Sequence, residues 1–449
     1  MGSALYPVLR LPLSAALGIY FRKITFRHKD GVPASGPVLV VSNHPATLSE
    51  TFLIGTRLGR RFHFIAASFV FRPWIKGAVA RFWGAIPVYR RQDEPEQMAK
   101  NADTFRECNA QFDRGQAIVI FPEGESLTDR AILPLKTGAA RLALGYDATA
   151  GREGRLALVP VGVYYSDRTK FQSEAVVSVG EAIDLAPYRG ATDPQEAVRA
   201  LTTVIQERLE ALILNVPNDA VARFVHDVEK LYLTDLREDR RGEPDLELLR
   251  RIAECIHYYR GHDPQRMYEG WRRTNAYWRK LDALGIADPA LQSEVQARTT
   301  RRHALALLVG GAAGLVPALF GMLVNLPPLL LSALLARLTA PQAILISSIR
   351  IIAGLVVFPL TYGFIAWALR AKAGWSWGTI AGGLGLCAVL GYFALVYVPW
   401  VRAERERIRV AYLSLNHRRL MAKLRAERKA LVHTFDQARA DYLAATRRA

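Results

Sequence analysis

A chain of 449 residues that is 51% hydrophobic, with positive mean hydropathy, is too long for one soluble domain and too apolar to be wholly soluble. Its net charge of +18 calls for an acidic partner: nucleic acid, an anionic membrane or a phosphorylated substrate. The pattern argues against nucleic acid, since there is no zinc-ligand spacing, no RRM-like aromatic signature and no basic region joined to a zipper.

In chain order, residues 5–20 are apolar, are interrupted by Arg10 and are followed at once by Arg22, Lys23, Arg27, His28 and Lys29. A cleaved signal peptide carries its charges first, so residues 1–30 read instead as an interfacial helix, running over 5–25, with cations at the headgroups. Val38, Leu39, Val40 and Val41, bounded by Gly36-Pro37 and Asn43, read as a buried strand. Asn43 or His44 then caps a helix with Pro45 in its first turn. Further strands are expected at 62–67, 84–90, 117–121, 156–165 and 175–180, with helices at 74–82, 98–112 and 137–144 between them. Strands alternating with helices over 31–215 argue for an α/β domain with a parallel or mixed sheet flanked by helices.

Residues 216–302 continue as charged amphipathic helices without a catalytic signature. Cys108, Cys255 and Cys387 are far apart and lack metal-ligand spacing, as in a reducing, cytosol-facing chain without disulfides. Residues 303–401 contain no Asp or Glu and only Arg337, Arg350, Arg370 and Lys372 as cations, which marks a membrane region beside anionic lipid headgroups. Clear spans are 344–369 and 379–399. The stretch 303–336 is long for one span and carries Asn325-Leu326-Pro327-Pro328, so a re-entrant bend is expected there. That bend gives an even number of crossings and leaves both the segment before 303 and the basic helical tail, 402–449, on the cytosolic side.

Four blocks carry chemistry: Asn43-His44-Pro45, Gly84-Ala85-Ile86-Pro87-Val88-Tyr89-Arg90, Phe121-Pro122-Glu123-Gly124-Glu125-Ser126 and Val159-Pro160-Val161-Gly162-Val163-Tyr164-Tyr165. Singly each is bland: Arg90 and Arg91 are ordinary surface cations, and Glu123 with Gly124 is an ordinary turn. Ser126 suggests a serine-hydrolase elbow, but the second glycine of G-x-S-x-G is missing. In order and spacing together, the blocks resemble the four motif blocks of the glycerolipid acyltransferase family, which includes glycerol-3-phosphate and lysophosphatidate acyltransferases. The run from Phe121 to Gly138 looks most like the glycerol-3-phosphate and dihydroxyacetone-phosphate branch. The resemblance covers residues 1–215, and beyond that it extends only to layout.

The resemblance implies a membrane-bound enzyme moving a fatty acyl group from acyl-CoA or acyl-carrier protein to a phosphorylated glycerol, with no metal or bound cofactor. An acceptor such as lysophosphatidate or another lysolipid, or a catalytically silent lipid-binding protein, are the alternatives. Such transfer needs a base, cations for the phosphate and donors for the developing oxyanion. His44 is the base. Arg90 and Arg91 suit the phosphate, because a guanidinium can engage its oxygens bidentately. Lys136 adds charge, while Asn43, Glu123, Gly124 and Ser126 line the substrate side. One position departs from the family's His-x4-Asp pattern: Ser49 stands where the aspartate is expected. Glu50 is adjacent and one methylene longer, and is preferred over Ser49 as the partner that orients the imidazole.

Overall fold

The computed structural model describes residues 2–124, 132–149, 151–214, 216, 219–236, 246–292 and 297–446. Contacts divide the chain into two units, Met1–Asn215 with Ser332–Val356, and Val216–Leu331 with Val357–Ala449. The unit that holds the sheet thus takes in both the N-terminal 30 residues and a short stretch from the apolar region, which the sequence assigned elsewhere.

The first unit is a seven-stranded mixed sheet flanked by helices. Its strands are β1 (Lys23–Arg27), β2 (Val38–Ser42), β3 (Phe62–Ala67), β4 (Ala85–Val88), β5 (Ala117–Ile120), β6 (Ala157–Tyr165) and β7 (Glu174–Val179), in the order β1-β7-β6-β2-β5-β3-β4. Only β6 and β7 pair antiparallel. The helices are α1 (Gly2–Tyr20), α2 (Ser49–Arg57), α3 (Trp74–Phe82), α4 (Asn101–Asp113), α5 (Gly138–Asp147) and α6 (Pro194–Glu210). Every side chain of β2 is buried, as its unbroken apolar run requires of a central strand covered on both faces. Val38 and Val40 face a core that contains Leu17 of α1 and Leu53 and Ile54 of α2. Leu39 and Val41 face the other layer, with Phe112 of α4, Leu142 of α5 and Leu201 of α6. Each such side chain stabilises the fold by about 1.5 to 3 kcal/mol, so this sheet is a rigid platform for whatever its edge carries.

Two local expectations fail. Residues 23–27 are not helical: they pair with β7 as an edge strand, with Ile24 and Phe26 packed against the core. Asn43 and His44 cap no helix, because α2 begins only at Ser49, and Thr47 in between sits at φ 62°, a left-handed conformation that interrupts helical winding.

The second unit contains α7 (Asp219–Leu236), α8 (Leu246–His262), α9 (Pro264–Leu284) and α10 (Asp288–Gln292), then α11 (Ala297–Thr339), which ends in the first unit. α12 (Ile346–Ala373) begins in the first unit, and α13 (Trp377–Asn416) and α14 (Arg418–Thr446) complete the second. Three of these helices are long and apolar enough to cross a membrane, over Arg301–Thr339, Ile346–Ala373 and Trp377–Asn416. The expected bend at residues 325–328 is absent: α11 runs through Pro317, Pro327 and Pro328 unbroken. Asn325 ties this stretch to its neighbours. Its amide donates to Gly321 O at 2.8 Å and to Cys387 O of α13 at 3.0 Å, and accepts from the Tyr362 hydroxyl of α12 at 2.9 Å. In an apolar setting such inter-helix bonds, with close approach at Gly310, Gly314 and Gly321, bind neighbouring helices to one another. With the bend gone, the even count of crossings that rested on it loses its support.

Candidate active site

The parallel pairing of β6, β2, β5, β3 and β4 puts their carboxyl ends on one edge of the sheet, where open α/β sheets bind ligands. Each motif block ends there. His44 follows β2, Glu123 and Gly124 follow β5, Arg90 follows β4, and Tyr165 ends β6.

Asn43 fixes the approach to His44. Its amide accepts from Val163 N–H at 2.7 Å and donates to Val163 O at 2.9 Å, extending the β2–β6 ladder by a side chain. One N–H and one lone pair of the amide are thereby used, which fixes the side chain against β6. The His44 backbone N–H donates to Glu123 Oε1 at 2.8 Å, and the ring stacks on Phe121 with centroids 4.1 Å apart. The imidazole is consequently held on one face and from behind, with 17% of its side chain left accessible.

Glu50, fully buried, brings Oε1 to 2.6 Å from His44 Nδ1. The approach is close, but the ring N–H does not point along a good hydrogen-bond direction. Such contacts commonly tighten only when substrate binds. The same oxygen accepts from Ala46 N–H at 3.2 Å, and Oε2 accepts from the Tyr165 hydroxyl at 3.4 Å. Burial first, and the Glu50 charge second, raise the Tyr165 pKa well above its ordinary value, so this hydroxyl stays a neutral donor. Ser49 is equally buried but turns elsewhere: its Oγ lies 3.2 Å from Ser347 Oγ and 3.1 Å from Ser348 Oγ at the start of α12.

Glu123 is the second buried carboxylate beside His44. Burial raises its pKa above the ordinary value, and the N–H groups of His44 and of Leu133, the latter 3.3 Å from Oε2, pull the other way. Gly124, at φ 72°, occupies a conformation that favours glycine, and a Cβ there would strike the Lys136 stem. Arg90 Nη1 donates to Gly124 O at 2.5 Å, its Nε is paired with Asp93, and its plane lies 5.3 Å from the Phe69 ring centre. Among the described residues, two of the guanidinium's five N–H donors are engaged in this way. Lys136 Nζ donates to Gln92 at 3.0 Å. Arg91 is exposed and makes no ion pair among the described residues. Ser126 lies outside the described residues.

Tyr165, Ser347 and Ser348 were missed as site residues, as was Arg168, which is buried and donates to Pro45 O at 3.3 Å. Tyr165 alone was signalled, as the last residue of a motif block.

Residues 23–164 match the family model described as Acyltransferase. Glycerol-3-phosphate O-acyltransferase 2 of Saccharomyces cerevisiae is 30% identical over 46% of this chain and 28% of its own length. Glycerol-3-phosphate O-acyltransferase 1 of the same yeast is 26% identical over 70% of this chain and 44% of its own length. The chain therefore spans less than half the length of these two relatives. Among solved structures, the 1-acyl-sn-glycerophosphate acyltransferase of Thermotoga maritima aligns with a TM-score of 0.34 at 16% identity, over 47% of this chain and 81% of that one.

Proposed function

Because residues 23–164 belong to the acyltransferase family, we propose that this chain is a membrane-bound O-acyltransferase that moves a fatty acyl group from acyl-CoA or acyl-carrier protein to glycerol 3-phosphate or dihydroxyacetone phosphate. The observation that carries the reading is the Glu50 carboxylate 2.6 Å from His44 Nδ1, at a position where the sequence lacks the family's aspartate. With Nδ1 turned to that carboxylate, Nε2 is the nitrogen left to take the acceptor's hydroxyl proton, and the buried charge stabilises the imidazolium that results. The freed alkoxide attacks the thioester carbonyl; the proton held by His44 then leaves with the thiolate. Arg90 and Lys136, converging on Gly124, hold the acceptor's phosphate, with Arg91 as a further cation at the rim. The yeast relatives named for glycerol 3-phosphate favour that acceptor. The catalytic domain faces the cytosol, where both donors reside.

Purified full-length chain in vesicles, given labelled acyl-CoA or acyl-carrier protein, is offered glycerol 3-phosphate, dihydroxyacetone phosphate and lysophosphatidate in turn, with His44→Ala as control. Label entering a monoacylated product from the first two acceptors, and lost in the control, is expected. Label only in a diacylated product would move the acceptor to lysophosphatidate, and no label in any product would leave a silent lipid-binding protein.

A further inference from the structure

The loop between His44 and α2 is held by side chains about 300 residues away in sequence. Ser348, fully buried in the first turn of α12, donates its hydroxyl to Ala46 O at 2.6 Å and accepts from Leu48 N–H at 3.2 Å. It therefore bridges the two peptide groups on either side of Thr47, the residue held at φ 62°. A threonine at such an angle is strained, and persists only where its surroundings over-determine it. A hydroxyl has one proton and two lone pairs. With the Ser348 proton on Ala46 O and one lone pair on Leu48, the other is left for Ser49 Oγ, 3.1 Å away, which must then be the donor. Ser347 Oγ, 3.2 Å from Ser49 Oγ, completes the cluster. The same helix is further seated by Ile351, buried in the core of the first unit, and by Arg350 over the Phe171 ring at 4.9 Å.

We propose that Ser348, with Ser347 and Ser49, is a positioning cluster through which the apolar helix α12 holds the base loop in its active shape. This rests on the role proposed above for His44. The link is short. The clamped Ala46 presents its N–H to Glu50 Oε1, the oxygen that faces His44 Nδ1. Releasing the loop removes one of the two hydrogen bonds that hold Glu50 against the imidazole, leaving the Tyr165 hydroxyl on Oε2. The arrangement also accounts for Ser49. A carboxylate at that position would bring acceptor oxygens and no proton to Ser348, so Ser348 would have to turn its own proton from Ala46 O. Serine at 49 and the charge at 50 are two halves of one exchange: the family's aspartate position has become an anchor, and the acid has moved one residue on. Since α12 is long and apolar enough to cross a membrane, the shape of the base loop is set by an element that itself enters the bilayer.

The test compares full-length wild type, Ser348→Ala, Ser348→Ala with Thr47→Gly, and Ser49→Asp in vesicles. Turnover and amide hydrogen exchange over residues 46–50 are read on each. Ser348→Ala should lower kcat by about tenfold to a hundredfold, the scale on which small misplacement acts. Both KM values should stay within about twofold, and exchange over 46–50 should quicken. Thr47→Gly, which makes the left-handed angle free of strain, should restore part of the rate in the double variant. Ser49→Asp, though it returns the family's residue, should lower kcat. Unchanged kcat and exchange in Ser348→Ala would overturn the proposal, as would a Ser49→Asp variant more active than wild type. A wild-type chain without transferase activity would sink the functional reading instead, and the exchange data alone would then decide whether the clamp exists.

Discussion

Two pairs of buried acids, Asp288 with Glu404 in the second unit and Glu50 with Glu123 in the first, keep different company. In the second unit Asp288 accepts from Arg428 Nε at 3.0 Å and from the Tyr277 hydroxyl, while Glu404 is 2.7 Å from Arg407 and 2.8 Å from His303. Both of these carboxylates meet a fixed cation, and Arg428 also donates to Leu231 O at 2.7 Å, tying α14 to α7. At the sheet edge of the first unit, Glu50 lies against the His44 imidazole and Glu123 against the His44 backbone N–H, and among the described residues their other hydrogen-bond donors are neutral. A buried acid matched to a permanent cation fixes structure. Two buried acids around one accessible histidine leave a proton free to move.

If that contrast is sound, Asp288→Asn should cost about 3 to 5 kcal/mol of stability, since it strands Arg428 without its charge partner, and should leave kcat untouched. Thermal unfolding and turnover of the same preparation separate the two; a fall in kcat without a fall in melting temperature would erase the distinction between these two pairs of acids. A smaller effect belongs to Glu123. Burial raises its pKa above the ordinary 4.5, so past that pH the folded chain retains a proton that the unfolded chain has released. Its contribution to stability is present in full below pH 4.5 and is lost as pH rises through the folded value. Glu123→Gln cannot titrate, so its melting temperature should fall less than that of wild type between pH 4.5 and neutrality. Parallel slopes would return Glu123 to an unperturbed carboxylate.

What the sequence made legible was whatever a strand carries to its end. β2, β5 and β6 are continuous apolar runs, and their terminal residues His44, Glu123 and Tyr165 reach the site because parallel strands end together. Contacts that depend on a distant partner left no such mark. Lys23, Thr25 and Arg27 alternate with Ile24 and Phe26, a half-covered edge strand in five residues, too short to outweigh the helical run before it. Asn43 has the composition of a helix cap, and only the neighbouring strand shows that its amide belongs to Val163. Pro327 and Pro328 signal a break, yet α11 continues through them, and the bonds from Asn325 to α12 and α13 leave no mark in the local sequence. Ser347 and Ser348 are two small polar residues at the start of an apolar helix, and no local pattern connects them to a loop near residue 47.

The central claim is that Glu50 does the work of the missing aspartate, and Glu50→Gln tests it most directly. The amide preserves size and can still accept from Ala46, but it removes the charge beside Nδ1. Steady-state rates of the purified full-length variant should show kcat reduced by about a hundredfold or more, with the KM for glycerol 3-phosphate nearly unchanged, as loss of a transition-state interaction requires. A variant that turns over like wild type would contradict the account.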